Sequence, residues 1–126
     1  QSGIARGYYS VQDFMKLMKK VRSYLEREGI VILDIFFCPH HSDGIISRYN
    51  KNCNCRKPKP GMLYLAQRKY NLDLSKSVLI GDSDTDIIAG DSAGVGLCIK
   101  VDSVGSKALD PKSFLLLALF IPKSLT

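Results

Sequence analysis

The sequence lacks any apolar run long enough to cross a membrane. Its longest uninterrupted apolar stretch, residues 114–121, has eight residues, whereas a transmembrane helix needs about 20. A run of this length is typical of a buried strand or a short helix. The sequence therefore predicts a protein without a membrane partner.

The sequence also lacks the features of a secreted, disulfide-bonded protein. No segment has the pattern of a secretory signal peptide, and disulfides are rare in proteins that remain in a reducing compartment. We therefore expect a cytoplasmic protein whose four cysteines are thiols or metal ligands.

Acidic residues are fewer than basic ones, 12 against 18, which gives a net charge of +6. The lysines are spread along the chain and do not form the block that is typical of a basic tail. Two interpretations remain open. The charge attracts an anionic partner such as a phosphorylated sugar or a nucleic acid, or it serves solubility alone.

Neither an internal repeat nor a domain linker is visible, and 126 residues suffice for one modest domain. We therefore predict a single domain over 1–126. Hydrophobic periodicity and end signals predict three helices. The first begins after Ser10, with Asp13 completing a capping box and Gly29 as its stop. The second begins at Pro60, and the third is capped by Asp84 or Thr85 and ends before Gly94.

Three apolar segments alternate with these helices and predict strands at 30–37, 77–81 and 95–99, with 71–76 as a connector. Nearly continuous apolar strands are typical of a parallel sheet that is covered on both faces. The alternation of helices and strands predicts an α/β fold with a parallel sheet.

Two closely spaced ligand pairs predict a metal site. Cys38-Pro39-His40 and Cys53-Asn54-Cys55 are separated by twelve residues. Three thiolates and one imidazole form a full tetrahedral set for structural zinc, and sulfur ligands exclude magnesium and calcium. The metal would pin the long loop at 38–59, which has little apolar content of its own.

Alternatives to this metal site remain. The cysteines can be close in sequence without sharing a metal, and His41 competes with His40 as the imidazole ligand. We prefer His40 because its Cys-x-His spacing mirrors that of Cys-x-Cys. Cys98, inside an apolar strand, is predicted to be a small buried hydrophobic residue.

A second polar cluster, Gly81-Asp82-Ser83-Asp84-Thr85-Asp86, follows a strand and precedes a helix. Ligands of open parallel sheets bind outside the carboxyl ends of the strands, and carboxylates there suit magnesium. Asp82, directly at the strand end, is the best candidate ligand. The alternative is helix capping by Asp84 and Thr85, which needs no metal and is compatible with one.

The run Arg56-Lys57-Pro58-Lys59-Pro60 supplies cations just before the second helix. Helix starts favour anions, and a lysine together with a bidentate arginine would hold a phosphoryl group. The alternative is a solvated charge run. The prolines favour the first interpretation, because they restrict the backbone that carries the charges.

Together these segments resemble a known family. The zinc loop, the run from Cys53 to Met62 and Gly81-Asp82 resemble the heptose-bisphosphate and histidinol-phosphate phosphatases of the haloacid dehalogenase superfamily. The opening residues 1–7 also match the stretch after that family's second motif, and the resemblance runs to about Val101. It implies a Rossmann-like parallel sheet with a zinc-clamped loop.

The resemblance implies a hydrolase that removes the 7-phosphate of a heptose 1,7-bisphosphate for the synthesis of lipopolysaccharide precursors. Lys57 would steady the transferring phosphoryl group, and Arg56 would contact the substrate. Asp82 would bind magnesium, with Asp86 assisting directly or through another ligand. The partner is a phosphorylated sugar.

Three further substrate contacts are implied by the resemblance. Gln1 and Ser2 would lie beside the substrate phosphate. Ser83 would lie on the substrate side as well, where the heptose enzymes carry a basic residue. This departure leaves the histidinol-phosphate phosphatases as an alternative.

The family's nucleophile is the first aspartate of an Asp-x-Asp motif on the first strand. In this sequence that spacing occurs only within 82–86, inside the metal motif. We therefore expect the nucleophile and the first strand to be absent from this chain. The complete protein is expected to be a monomer, and this chain alone to be inactive, to fold poorly or to self-associate.

Two other readings of the chain stay open. It can be a catalytically dead zinc-binding fragment that binds phosphorylated ligands or a partner. A zinc module that binds nucleic acid is disfavoured, because the ligand spacing does not match the common finger. We therefore predict no nucleic-acid partner.

Overall fold

The computed structural model describes residues 1–101 and the strand at 117–122. The chain divides into two compact units, Gln1–Cys53 and Asn54–Thr126. The prediction that residues 1–126 form a single domain is not tested by this division into units. Among the described residues, no helix combines the length and the apolar character that crossing a membrane requires.

The first unit contains helix α1 (Ser2–Ala5), helix α2 (Val11–Arg27) and a short 3-10 helix (Ser47–Tyr49). The predicted capping box of α2 is confirmed. The Asp13 amide donates to the Ser10 hydroxyl at 3.1 Å, and the Ser10 amide donates to the Asp13 carboxylate at 3.1 Å. Gly29 follows the helix with a φ of 77°, as predicted for a helix stop.

The core of the first unit lies where α1 and α2 meet the chain that follows them. Ile4, Phe14 and Met18 are buried, and the Phe14 and Phe37 ring centroids are 4.7 Å apart. Leu17, which belongs to the predicted apolar stripe, is 55% exposed. It lies about 60° around the helix from Phe14, at the edge of the stripe, because each residue turns the helix by about 100°.

The predicted strand at 30–37 is not formed among the described residues. Some of its apolar residues pack against the core, and others are exposed to solvent. Ile35 and Phe37 pack against the core of the first unit, whereas Val31 is 81% exposed. A strand is defined by hydrogen bonds to a neighbour, and the described sheet is built from strands of the second unit.

The second unit contains helix α3 (Gly61–Tyr70), strand β1 (Leu72–Gly81), helix α4 (Asp84–Ala93), strand β2 (Leu97–Lys100) and strand β3 (Leu117–Pro122). The sheet order is β2-β1-β3. Strands β1 and β2 are parallel and are aligned from Val78 opposite Leu97 to Gly81 opposite Lys100. The predicted parallel pairing is therefore confirmed for these two strands.

Two features of the sheet differ from the sequence-based expectation. Strand β3 pairs with β1 in antiparallel orientation, with Leu72 opposite Pro122. Strand β1 therefore begins at Leu72, and the predicted connector at 71–76 is wrong. The physical reason is that β3 supplies hydrogen-bond partners to the start of β1, where Leu72 and Leu74 are buried.

The core of the second unit lies between the sheet and its two helices. Leu63 of α3, Leu79 of β1 and Ala89 of α4 are buried together. Cys98 of β2 packs against this cluster, and its burial, followed by its contacts with Asp91, raises the pKa of the thiol. Cys98 therefore packs against the core as predicted, but it is partly buried and not fully buried.

Candidate metal centre and phosphate-binding edge

The predicted zinc ligands are brought together. The donor atoms of Cys38, His40, Cys53 and Cys55 all lie within 4.8 Å of one another. Cys38 Sγ is 3.5 Å from Cys53 Sγ and 3.6 Å from His40 Nδ1. None of the four cysteines, which all lie in the described part of the chain, forms a disulfide, and Cys38 is buried. These residues form a compact set of three sulfurs and one imidazole.

The spacing of these donors fits zinc. Around a tetrahedral zinc with Zn–S near 2.3 Å and Zn–N near 2.0 Å, two donors are about 3.5–3.8 Å apart. The distances from Cys38 Sγ to Cys53 Sγ and to His40 Nδ1 lie within that range. Burial, followed by the charge of Lys51, lowers the pKa of His40. This favours the neutral imidazole that a metal ligand requires.

His41 is placed outside the cluster. Its Nε2 accepts a hydrogen bond from the Arg6 guanidinium at 3.1 Å, and its Nδ1 lies 3.0 Å from the Asp43 amide nitrogen. Of the two histidines, His40 is therefore the one whose ring shares the cluster with the cysteines.

Lys57 and Asp86 form the centre of a second site, at the carboxyl end of β1. The Lys57 ammonium donates a hydrogen bond to Asp86 Oδ1. The Asp86 side chain is 1% exposed, and that of Lys57 is 24% exposed. A nearly buried carboxylate thus holds a partly exposed cation at the edge of the sheet where ligands bind.

Ser83 completes the surroundings of Asp86 and caps helix α4. Its amide and its hydroxyl donate to Asp86 Oδ2 at 3.2 and 2.8 Å. The cap predicted at Asp84 or Thr85 is therefore one or two residues too late, because Ser83 and Asp86 have the spacing of a capping box. Both oxygens of Asp86 are engaged, one by Lys57 and one by Ser83.

Gly81 makes this arrangement possible by its lack of a side chain. A Cβ at this position would lie 2.7 Å from both Cγ and Oδ2 of Asp86. The Asp86 carboxyl group therefore packs directly on the backbone at the end of β1. The Gly-Asp pair at 81–82 thus allows the first turn of α4 to lie against the strand.

The remaining acidic residues of this segment stay more accessible. Asp82 is partly buried and Asp84 is exposed. Asp84 Oδ1 accepts a hydrogen bond from the ammonium of Lys100, at the end of β2, at 2.7 Å. Lys100 was not singled out from the sequence. Only the parallel pairing of β1 and β2 brings it to this edge.

The pKa of Asp86 is set by opposing effects. Burial raises the pKa of its carboxyl, but the hydrogen bonds from Lys57 and Ser83 outweigh burial. The net pKa therefore lies below the ordinary value of 3.8. The ionised form is thus the stable form at neutral pH, and it carries the charge that holds Lys57 in place.

This depressed pKa predicts a pH dependence of stability. A carboxyl whose pKa is lowered by folding stabilises the fold fully above its unfolded-state pKa, here 3.8. That contribution is lost as the pH falls through the lower folded-state value. We expect the unfolding temperature of the natural protein to fall more steeply below about pH 4 than that of an Asp86→Asn variant. Parallel slopes in calorimetric scans from pH 7 to pH 2 would contradict this assignment.

The other residues predicted to contact substrate are placed as follows. Gln1 Oε1 accepts a hydrogen bond from the Tyr9 hydroxyl at 2.7 Å. Ser2 is the first residue of α1. Arg56 precedes Lys57 and is partly buried. Their contacts with substrate stay predictions.

Known proteins are similar to this chain both in sequence and in fold. A family model described as HAD-hydrolase-like matches residues 54–103. The D-glycero-alpha-D-manno-heptose-1,7-bisphosphate 7-phosphatase of Photorhabdus laumondii is 48% identical over 101 residues, which are 80% of this chain and 55% of that protein. The corresponding beta-anomer phosphatase of Vibrio cholerae is 42% identical over 80% of this chain and 54% of that protein.

A solved structure shares both the fold and the sequence similarity. The D,D-heptose 1,7-bisphosphate phosphatase from B. bronchiseptica, complexed with magnesium and phosphate, superposes with a TM-score of 0.68 at 35% identity. The match covers 79% of this chain and 51% of that structure. The chain spans about half the length of the curated relatives it matches. The chain is therefore similar in sequence to D-glycero-D-manno-heptose-1,7-bisphosphate 7-phosphatases and has the haloacid dehalogenase type of fold.

Proposed function

We propose that this chain supplies the zinc loop and the phosphate-binding edge of a magnesium-dependent phosphatase. Its substrate is D-glycero-D-manno-heptose 1,7-bisphosphate, which loses its 7-phosphate. The observation that carries this proposal is the Lys57 ammonium held by the buried Asp86 at the end of β1. A fixed cation at a strand end offsets the charge of a phosphoryl group during its transfer.

The contacts of Asp86 indicate that Asp86 and Asp82 have different roles. Both of its oxygens accept hydrogen bonds from Lys57 or Ser83, so we assign Asp86 to positioning Lys57. Asp82, a partly buried oxygen donor at the strand end, suits a hard divalent cation and is assigned as the magnesium ligand. When bound, magnesium would neutralise charge on the phosphoryl oxygens. The similar B. bronchiseptica structure holds magnesium and phosphate.

The proposed chemistry is nucleophilic catalysis by a carboxylate. An aspartate oxygen attacks phosphorus, the bond to the leaving sugar oxygen breaks, and a second aspartate protonates that oxygen. Water then hydrolyses the aspartyl phosphate. Asp84 and Asp86 do not serve as nucleophile in this proposal, because they hold Lys100 and Lys57. The nucleophile is supplied from outside residues 1–126.

The proposed setting is the synthesis of nucleotide-activated heptose for lipopolysaccharide core. We place the reaction in the cytoplasm, because thiolates remain available to bind zinc where thiols stay reduced. Gln1, Ser2 and Arg56 are proposed to contact the substrate. Ser83 is proposed to act mainly through Asp86, since its hydroxyl hydrogen-bonds that carboxylate.

Phosphate release by the natural protein that contains this chain tests the proposal. With magnesium present, we expect release of one phosphate from the heptose bisphosphate, and phosphorus NMR should show that the 1-phosphate remains. The alpha anomer is expected to react faster, since the relative named for it is 48% identical and the one named for the beta anomer is 42% identical. Faster turnover of histidinol phosphate than of the heptose bisphosphate would identify histidinol phosphate as the preferred substrate. Retained zinc with no turnover of either compound would favour a zinc-binding protein without catalysis.

A further inference from the structure

The metal-binding loop of the first unit packs directly on helix α1. The Ile46 amide donates to the Ala5 carbonyl at 3.0 Å. Gly44 approaches Ala5 so closely that a Cβ at Gly44 would lie 2.8 Å from the Ala5 Cβ. Ile4 and Ala5 are themselves buried. The C-terminal end of α1 therefore rests against residues 44–46 of the loop.

A side-chain contact joins the same two segments. The Arg6 guanidinium, immediately after α1, donates to His41 Nε2 at 3.1 Å. His41 is fixed within the loop by its backbone amide, which donates a hydrogen bond to the Tyr49 carbonyl at 3.1 Å. His41 is also the neighbour in sequence of His40, whose ring belongs to the metal cluster.

The other end of α1 is held by Tyr9. The Tyr9 hydroxyl donates to Gln1 Oε1 at 2.7 Å, and its ring covers Gly3. A short helix of four residues has little stability of its own. The position of Gln1 and Ser2 therefore depends on these tertiary contacts at both ends of the helix.

We propose that Arg6 and His41 are positioning residues that couple metal binding in the loop to the placement of α1. Metal held by the cluster fixes the backbone at His40 and thereby the ring of His41. That ring holds Arg6, and α1 keeps Gln1 and Ser2 in place. The value of this coupling for substrate binding rests on the proposed function, whereas the coupling itself does not.

Hydrogen exchange of named amides measures the coupling without an activity assay. The amides of Arg6, Gly7 and Tyr8 donate to carbonyls of α1 at 3.0, 3.1 and 2.9 Å. In the natural protein, removal of zinc by a chelator at constant magnesium should raise their exchange rates about tenfold or more. Unchanged rates after confirmed zinc loss would overturn the proposal.

Two substitutions separate the link from the metal site. His41→Ala and Arg6→Met should keep the zinc content of the natural protein, because neither residue belongs to the cluster. With zinc bound, both variants should show the fast exchange of the zinc-free protein at the same amides. Arg48→Met is the matched control. It removes an exposed cation of the same loop that lies over the Tyr49 ring. It should change neither the zinc content nor the exchange rates of these amides.

The outcomes distinguish this proposal from the proposed function. Zinc loss in His41→Ala, or protected α1 amides in both variants, would overturn the coupling. If the coupling holds and the enzyme acts on the heptose bisphosphate, both variants should raise KM about tenfold with a smaller change in kcat. Fast exchange with an unchanged KM would support the coupling and would show that Gln1 and Ser2 do not contribute to substrate binding. Amides of α2 serve as the reference for overall unfolding in every sample.

Discussion

Replacing Lys57 by methionine is expected to lower the rate of phosphate release by the natural protein by about 10²–10³-fold. The variant removes the ammonium that Asp86 holds at the end of β1. Loss of one preorganised group that stabilises the charge developing in the transition state typically lowers kcat by about 10²–10³-fold. The measurement is kcat with the heptose bisphosphate at saturating magnesium.

The same substitution is expected to lower the free energy of unfolding by about 3 kcal/mol, since it leaves a nearly buried carboxylate without its cation. A double variant, Lys57→Met with Asp86→Asn, separates the two effects. It should recover much of the stability, because the uncompensated charge is gone, but none of the activity. Recovery of activity in the double variant would show that Lys57 is not required for the reaction.

Lys69→Met is the matched control for Lys57→Met. It removes an equal charge from the exposed surface of α3, where the Lys69 ammonium lies 5.2 Å from the centroid of the Tyr70 ring. We expect little change in kcat and a change in stability of less than about 0.5 kcal/mol. A comparable loss of activity in this variant would show that overall charge, and not the placement of Lys57, governs the reaction.

Replacing Cys53 by serine is expected to abolish stoichiometric zinc binding. The natural protein should contain about one zinc per chain, because three thiolates and one imidazole, with donor atoms within 4.8 Å of one another, form a closed set. Removal of one thiolate leaves three ligands, which are Cys38, His40 and Cys55. Elemental analysis after gel filtration measures the metal content directly.

The same variant should lose at least about 3 kcal/mol of stability, since the binding free energy of structural zinc, about 10–16 kcal/mol in small domains, is coupled to folding. Cys98→Ser is the matched control. Cys98 packs against the core of the second unit and lies outside the cluster, so this variant should retain its zinc. Equal zinc content in both variants would show that the cluster is not the metal site.

Helix ends were the most predictable part of the fold. The Ser10 and Asp13 capping box and the stops at Gly29 and Gly94 were read correctly, because these signals act within one helical turn. The cap at Ser83 was missed for a related reason. Several adjacent residues can cap α4, and the geometry of Asp86 selects one of them.

Strands were less predictable than helices. The apolar segment at 30–37 has strand composition and yet belongs to no described strand, whereas 71–76 has mixed composition and belongs mostly to β1. The difference lies in pairing, because a strand requires a hydrogen-bonded neighbour that can be distant in sequence. Strand β3, more than 30 residues after β1, decides where β1 begins.

The sequence by itself determined which residue types are available for zinc, phosphate and magnesium, and so which residues are predicted to bind each of them. These properties depend on residue type and short spacing, as in Cys-x-His and Gly-Asp. Only the tertiary structure decided the pairings that give these residues their roles, such as Lys57 with Asp86, His41 with Arg6 and Asp84 with Lys100. The physical reason is that each pair joins residues 16 to 35 positions apart, and contacts over such distances are created by packing and not by local preference.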